Sequence, residues 1–300
     1  MKLSNWVQAA RPPAQINLAL PLLFGQFLAF KQSGIFSWTT ALLLASYSLT
    51  MHLYIVFWND WADHAADCYN ETPSPFSGGS RVLQQGLLTP RALFVAGALS
   101  AVLVFALGVL FTLYLDRPWT LLLFALGTLL LWAYSLPPLR LNYRGGGEFL
   151  QALGVGLVLP VVGCYIQAGT PAEFGFILPY CGHQLAVAIA FALPDAAADR
   201  AAKKRTFAAV IGPKRAGALV VCCGILAQFS LFLIHPHGFL LSPLNLPTLP
   251  LLTSLALLPR IPSRDQSATP CRSSRNHTLA FVALTITTGV FYVLGIFLSD

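Results

Sequence analysis

The chain has 300 residues, 56% of them hydrophobic and only 10% charged, with a formal net charge of +7. A soluble globular domain carries about 25% charged residues, so this composition excludes an ordinary water-facing surface. The positive balance is spread along the chain at intervals, which makes it a topology signal and argues against a nucleic-acid partner.

A membrane-spanning helix needs about 20 predominantly apolar residues, and the charges are spaced to allow this repeatedly. The first charge-free run lies between Arg11 and Lys31 and the second between Lys31 and Asp60. No short apolar core with a small-residue cleavage site is evident, so no cleavable signal peptide is expected. The second run ends in Asn59-Asp60-Trp61-Ala62-Asp63-His64-Ala65-Ala66-Asp67 and opens a polar stretch reaching Pro90. The third and fourth crossings lie between Arg91 and Asp116 and between Arg117 and Arg140. A polar stretch over Ser135–Glu148 precedes the fifth crossing, Glu148 to Glu173, and the sixth, Glu173 to Asp195. A third polar stretch, Asp195–Arg215, opens with Asp195-Ala196-Ala197-Ala198-Asp199. The run from Arg215 to Arg260 is about twice as long as a single crossing needs and is broken by His235-Pro236-His237-Gly238, a turn signal, so it reads as two crossings. The second of these is interrupted by Pro243, Pro247 and Pro250. A basic Ser- and Arg-rich linker, Arg260–His277, leads to the last crossing, Arg275 to Asp300. The expectation is an all-α integral membrane protein of about nine transmembrane helices forming a single domain over 1–300.

On that count, sixteen of the eighteen Lys and Arg fall on the N-terminal side of the bilayer and only Lys31 and Arg117 on the other. The positive-inside rule then places the N-terminus and the three polar stretches in the cytoplasm. The six cysteines are scattered and are expected as free thiols; Cys222-Cys223 lacks metal-ligand spacing and reads as packing.

The second and sixth crossings end on the same side in matching acidic clusters. Asn59, Asp63 and Asp67 recur every four residues, as do Asp195 and Asp199, so on a helix each set forms one stripe. Stacked carboxylates repel one another, and membrane-edge acids are functional candidates by default. Oxygen ligands of this kind suit Mg²⁺, which commonly binds one or two carboxylates together with substrate phosphates. Arg81, Arg140 and Arg144 lie between the clusters, and Arg200, Lys203, Lys204 and Arg205 follow the second. Mixed acid and base on one membrane face suits a metal–diphosphate site, although the positive-inside rule alone would also place these cations there. His52 lies seven residues before Asn59, deeper on nearly the same face; it reads either as an acceptor contact or base, or as an interhelical hydrogen bond. Tyr134 is a diphosphate contact or an interfacial anchor, and Gln15 and Asn17 are weaker acceptor-pocket candidates. His183 with Gln184 is weaker still.

These motifs resemble the two aspartate-rich motifs of the UbiA superfamily: Asn59-Asp60-Trp61-Ala62-Asp63 with Asp67, then Asp195 to Asp199 followed by Arg200-Ala201-Ala202-Lys203-Lys204-Arg205-Thr206. Arg11-Pro12 is similar to the family's opening. Ser77–Pro90, and Tyr134–Leu141 with Tyr143-Arg144-Gly145 and Glu148, most resemble the 1,4-dihydroxy-2-naphthoate polyprenyltransferase (MenA) branch of menaquinone synthesis. Phe191-Ala192-Leu193-Pro194 departs from that branch's Asn-rich lead into the second motif, alanines fill the motif where relatives often carry another acid, and Lys203 stands where Gly is common. Phe207-Ala208-Ala209-Val210 replaces a stretch that often ends in Arg.

The resemblance implies a UbiA-like helical bundle that transfers a polyprenyl chain from its diphosphate to an aromatic acceptor. Asn59, Asp63, Asp67, Asp195 and Asp199 would hold Mg²⁺, with the four aspartates catalytic. Asn59, Arg81, Tyr134, Arg140, Arg144, Lys204 and His52 would contact substrate. Acceptors other than dihydroxynaphthoate stay open: 4-hydroxybenzoate, homogentisate, chlorophyllide, haem or a glycerophosphate. The rival class is a cation-coupled transporter, but such proteins place ion sites near the bilayer midplane on broken helices, whereas these acids lie at helix ends beside Arg and Lys.

Overall fold

Local chemistry sets the helix ends. In the computed structural model, which describes residues 2–71, 73–74, 78–170, 172–236, 239–263 and 272–299, α1 (Leu3–Ala10) stops at Arg11, whose φ of 47° leaves the helical region ahead of Pro12. α2 (Ile16–Ser33) ends on Gly34, φ 70°, whose N–H returns to the Phe30 carbonyl at 2.7 Å, the left-handed helix stop that glycine tolerates best. α3 (Trp38–Ala62) starts where the Ser37 hydroxyl accepts the Thr40 N–H at 3.2 Å. Thr89 does the same for Ala92 at the head of α5 (Pro90–Tyr114), with Pro90 in the first turn, where its missing N–H costs nothing.

Between α3 and α5 lies the short α4 (His64–Asp67). The chain continues through α6 (Thr120–Ser135), α7 (Leu141–Arg144), α8 (Gly147–Leu153) and α9 (Leu159–Ala168). It ends with α10 (Phe174–Phe191), α11 (Ala196–Ala201), α12 (Phe207–Ile211), α13 (Pro213–Ile234), α14 (Thr248–Leu257) and α15 (Arg272–Leu298). A π-helical stretch, Gly154–Val158, joins α8 to α9. Pro160 explains it: the ring cannot donate to the carbonyl four residues back and crowds it, so the helix widens there.

The elements belong to two compact units that interleave in sequence. The first comprises Met1–Cys68, Gly78–Arg140 and Val158–Ala172; the second comprises Tyr69–Ser77, Leu141–Leu157 and Glu173–Asp300. In the first unit α2 packs on α9 through glycines: a Cβ on Gly25 would strike the Pro160 carbonyl, and one on Gly163 the Leu22 carbonyl. Small residues let helix backbones approach closely where lipid supplies no hydrophobic drive for association. α3 packs on α5, and Tyr47 stacks on Phe124 with ring centroids 3.7 Å apart. In the second unit α10 packs against α8, α13 and α15, and the Tyr292 hydroxyl donates to the Phe176 carbonyl at 2.8 Å.

Among the described residues, seven helical segments are long and apolar enough to cross a membrane: Leu3–Ser33, Trp38–Ala62, Pro90–Tyr114, Gly147–Ala168, Phe174–Phe191, Pro213–Ile234 and Arg272–Leu298. On α5 the apolar side chains Leu99, Leu103, Phe105 and Leu113 are exposed, a surface water would not tolerate and lipid does. The other two expected crossings coincide with shorter helices. α6 has 16 residues, about 24 Å at 1.5 Å per residue. α14 has 10 residues and is continued by a 3₁₀ turn, Leu258–Arg260, with Pro243 opening a separate 3₁₀ turn before it. His237 and Gly238 of the expected turn, residues 264–271 of the expected Arg260–His277 linker, Ser77 and Asp300 lie outside the described residues.

Candidate active site

The first acidic motif is built at the end of α3. Asp63 terminates that helix and α4 follows at once, yet the Asp63 N–H still reaches the Asn59 carbonyl and the Asp67 N–H the Asp63 carbonyl, both at 2.8 Å. The four-residue register of Asn59, Asp63 and Asp67 therefore survives the break. The Ser135 hydroxyl donates to Asn59 Oδ1 at 3.2 Å and aims that amide oxygen. Asp63 is buried and Asp67 half-buried.

The loop that follows folds back over this motif. Gly78 and Gly79 both have positive φ, 81° and 65°. Gly79 sits so close to the carboxylates of Asp67 and Asp60 that a Cβ there would overlap the first and come within 3.2 Å of the second. The Ser80 N–H donates to Asp60 Oδ2 at 3.1 Å, and Arg81 Nη1 donates to the Asp67 backbone carbonyl at 2.5 Å. Asp60 is only 4% exposed, and Arg11 Nη1 stands 3.7 Å from its Oδ1. Val82, Leu83 and Leu88 anchor the loop in an apolar cluster with Ala9, Val56, Phe57 and Leu93.

α1 holds the loop from its other side. Gln8 Nε2 donates to the Ser80 carbonyl at 2.8 Å and to Gln85 Oε1 at 2.9 Å, and Asn5 donates to the Leu87 carbonyl at 3.1 Å. His52, buried on α3, places Nε2 2.7 Å from the Ala10 carbonyl. Of its two expected roles, this contact is the interhelical hydrogen bond, and it ties the end of α1 to α3. Gln15 bonds Ser48 at 2.8 Å in the same unit.

The second acidic motif, in the second unit, is held by side chains. Asp195 precedes α11 and its carbonyl accepts the Asp199 N–H at 2.8 Å, which again keeps the four-residue register. Asn70 Nδ2 donates to Asp195 Oδ1 at 2.6 Å. Asp199, 8% exposed, accepts from the Thr206 hydroxyl at 2.9 Å, while Thr206 Oγ1 also caps α12 by accepting the Ala209 N–H at 3.3 Å. Lys204 Nζ lies 3.9 Å from Asp199 Oδ1 and 5.2 Å from the centre of the Tyr143 ring, a cation–π placement that holds the ammonium beside the acid. Buried Glu148 accepts the Phe207 N–H at 2.7 Å and fixes the start of α12. Lys203 has φ 60°, a left-handed conformation natural to the glycine that is common there in the resembling family. Leu193 is buried, with Phe191 and Ala192 packed against the same apolar core, so the departing lead-in is core on this side.

Of the expected substrate contacts, Arg81 meets Asp67 and Lys204 meets Asp199. Tyr134 lies half-buried near the end of α6, and Arg140 follows the Leu136–Leu139 turn with φ 42°. Arg144 is exposed at the end of α7. Sequence reasoning passed over Gln8 and Asn70, and held Ser80 and Thr206 only as motif members without a role. The glycine pair ahead of Ser80 and the Thr206-x-x-Ala209 cap spacing were the available signals for two of them. The five described cysteines are free, and Cys271 lies outside the described residues.

The donor set of the two motifs is all oxygen, which suits a hard cation. Among the described residues no three His, Cys, Asp or Glu side chains converge as a ready-made metal cage. That arrangement fits a cation that takes few protein ligands and completes its shell with phosphate and water.

Fold and site define a class: a multi-pass, all-helical membrane protein with acidic helix ends set beside fixed cations. The chain belongs to the UbiA prenyltransferase family, whose model matches residues 18–284. It is therefore an enzyme of the prenyltransferase kind. Solved structures share the fold. A UbiA homologue from Archaeoglobus fulgidus bound to DMAPP and Mg²⁺ superposes with a TM-score of 0.66 at 17% identity, over 95% of this chain and 99% of that one. A digeranylgeranylglyceryl phosphate synthase gives 0.62 at 14% identity, over 98% of each chain. A UbiA homologue from Aeropyrum pernix K1 gives 0.55 at 13%, over 99% of each. A search of curated proteins finds no match.

Proposed function

We propose that this enzyme transfers a polyprenyl chain from its diphosphate to an aromatic acceptor of the dihydroxynaphthoate type, releasing diphosphate. The observation that carries the reading is the pairing of acid with a held cation at each acidic helix end, Arg11 with Asp60 at 3.7 Å and Lys204 with Asp199 at 3.9 Å. Metal-bridged diphosphate needs both signs of charge in one place. Asn59, Asp63, Asp67, Asp195 and Asp199 are the residues to hold Mg²⁺, which, when bound, supplies the positive charge that makes diphosphate a good leaving group. The A. fulgidus homologue in complex with GPP and Mg²⁺ supports Mg²⁺ as the cation.

The chain's own residues do the rest. Lys204 and Arg81 neutralise the departing diphosphate, which keeps the electron pair of the broken carbon–oxygen bond. Aromatic side chains stabilise the allylic cation through their faces, with Tyr134 as a diphosphate contact. A ring carbon of the acceptor then forms the new bond and loses its carboxylate or proton. The resemblance implies an apolar groove open to lipid for the polyprenyl tail.

Phe191, Ala192 and Leu193 pack in the core, and the lead-in Phe191–Pro194 offers the acceptor almost no side-chain hydrogen-bonding groups, which lowers selectivity for a particular polar acceptor. The test supplies membranes with Mg²⁺, polyprenyl diphosphates of several lengths, and dihydroxynaphthoate, 4-hydroxybenzoate, homogentisate or a glycerophosphate. Prenylated dihydroxynaphthoate is the expected product. Prenylation of the glycerophosphate alone would overturn the aromatic assignment and leave the diphosphate site standing. No product with any acceptor, together with cation-driven solute uptake, would restore the transporter.

The charge skew further places the N-terminus and both motifs in the cytoplasm. Reporter fusions after Thr89 and after Pro213 should read as inside and one after Asp300 as outside. Termini on one side would refute nine crossings.

A further inference from the structure

The segment after the first acidic motif does not stay with it. Asp67 and Cys68 close a stretch of the first unit, and Tyr69–Ser77 belongs to the second. Within that unit the segment is pinned twice. Asn70 Nδ2 donates to Asp195 Oδ1 at 2.6 Å, and Arg275, near the start of α15, donates to the Pro73 carbonyl at 3.0 Å. Asn70 is 7% exposed although neighbouring Tyr69 is more than half exposed, so the amide is turned inward by choice of side chain.

We infer that Asn70 is a positioning residue for the second acidic motif, fixing the Asp195 carboxylate for the cation and diphosphate; this rests on the function proposed above. A carboxylate oxygen has two acceptor positions. An amide N–H on Oδ1 therefore sets the plane and rotamer of Asp195 without exhausting its capacity to ligate. A hydrogen bond to a charged acceptor is also stronger than one between neutral groups. Asp195 starts α11 from a half-exposed position, and an unrestrained carboxylate there would sample several rotamers and lose order on binding a metal. Asn70 comes three residues after Asp67 in sequence, so the side chain that aims an acid of the second motif is delivered by the tail of the first.

The experiment measures stabilisation of the detergent-solubilised full chain by Mg²⁺ and inorganic pyrophosphate, as thermal midpoint against Mg²⁺ concentration, alongside kcat and KM for prenyl diphosphate. Asn70→Ala is expected to raise the half-saturating Mg²⁺ about 10-fold or more, the usual effect of losing a group that orients a metal ligand, with the ligand-free midpoint little changed. Asn70→Gln, which keeps an amide donor, should recover part of the loss. Asn70→Leu removes the donor at similar volume and carries the same test if the alanine variant does not fold. In an Asp195→Ala background, Asn70→Ala should add almost nothing. An unchanged Mg²⁺ response in Asn70→Ala, with Asp195→Ala impaired, would overturn this inference alone. So would an undiminished additional loss in the Asp195→Ala background. If wild type shows no Mg²⁺–pyrophosphate stabilisation, or Asp195→Ala leaves it intact, the metal–diphosphate reading falls and this inference with it.

Discussion

The two acidic helix ends carry the same spacing but are built by different means. At the first, backbone meets the acids directly, with Gly79 against two carboxylates and the Ser80 N–H on Asp60, while the Arg11 and Ser135 side chains contact Asp60 and Asn59. At the second, side chains do the holding: Asn70 on Asp195, and Thr206 and Lys204 on Asp199. A backbone cradle at positive φ strains any L-residue placed there and makes the acid shift to admit it. Between the members of the second network, three alanines fill the motif and a lysine occupies a left-handed position.

The largest expected effect tests whether the two ends act together. Asp63→Ala, Asp67→Ala, Asp195→Ala and Asp199→Ala should each lower kcat by about 10²–10³-fold or more, the scale of losing a group that stabilises transition-state charge. The protein should still insert, as judged from its yield in the membrane fraction. A chelator should reproduce the loss and Mg²⁺ reverse it. Full activity in both Asp195→Ala and Asp199→Ala would confine the chemistry to the first end.

A mid-sized effect separates the two building methods. Gly79→Ala puts an L-residue at φ 65°, costing about 1–2 kcal/mol for the left-handed backbone alone. It also drives a methyl into the Asp67 carboxylate, so kcat should fall beyond what the stability loss explains. Thr206→Val removes the Asp199 hydrogen bond and the α12 cap together, about 1–2 kcal/mol, and Thr206→Ser should restore most of it. Thermal midpoints in detergent, measured with kcat, decide this. A Gly79→Ala enzyme of wild-type midpoint and rate would break the contrast.

The smallest effect is a gain. Lys203→Gly relieves a left-handed lysine and should raise stability by up to about 1 kcal/mol, read as a small upward shift of the thermal midpoint. A fall instead would mean that the Lys203 side chain contributes more than its backbone costs.

Local sequence alone determined the helical membrane class, the order of its apolar segments and the two acidic motifs. Hydropathy runs and four-residue spacing are one-dimensional properties, and backbone polar groups in lipid leave few alternatives to helix. The same reading overlooked α1, because it ends before Arg11 and too few residues precede that charge to form a membrane run. It named Asn59, Asp63, Asp67, Asp195 and Asp199 but passed over the groups that hold their neighbours. Gln8 and Ser80 are 72 residues apart, and Asn70 and Asp195 are 125 apart. His52 offered two roles on its helix face, and only the position of the Ala10 carbonyl, 42 residues away, showed which bond it makes. Such pairings leave no periodic trace, since a hydrogen bond between distant residues depends on how helices pack. The tertiary structure alone decided them, as it decided that Gly79 must lack a side chain and that Phe191, Ala192 and Leu193 pack into the core of the second unit.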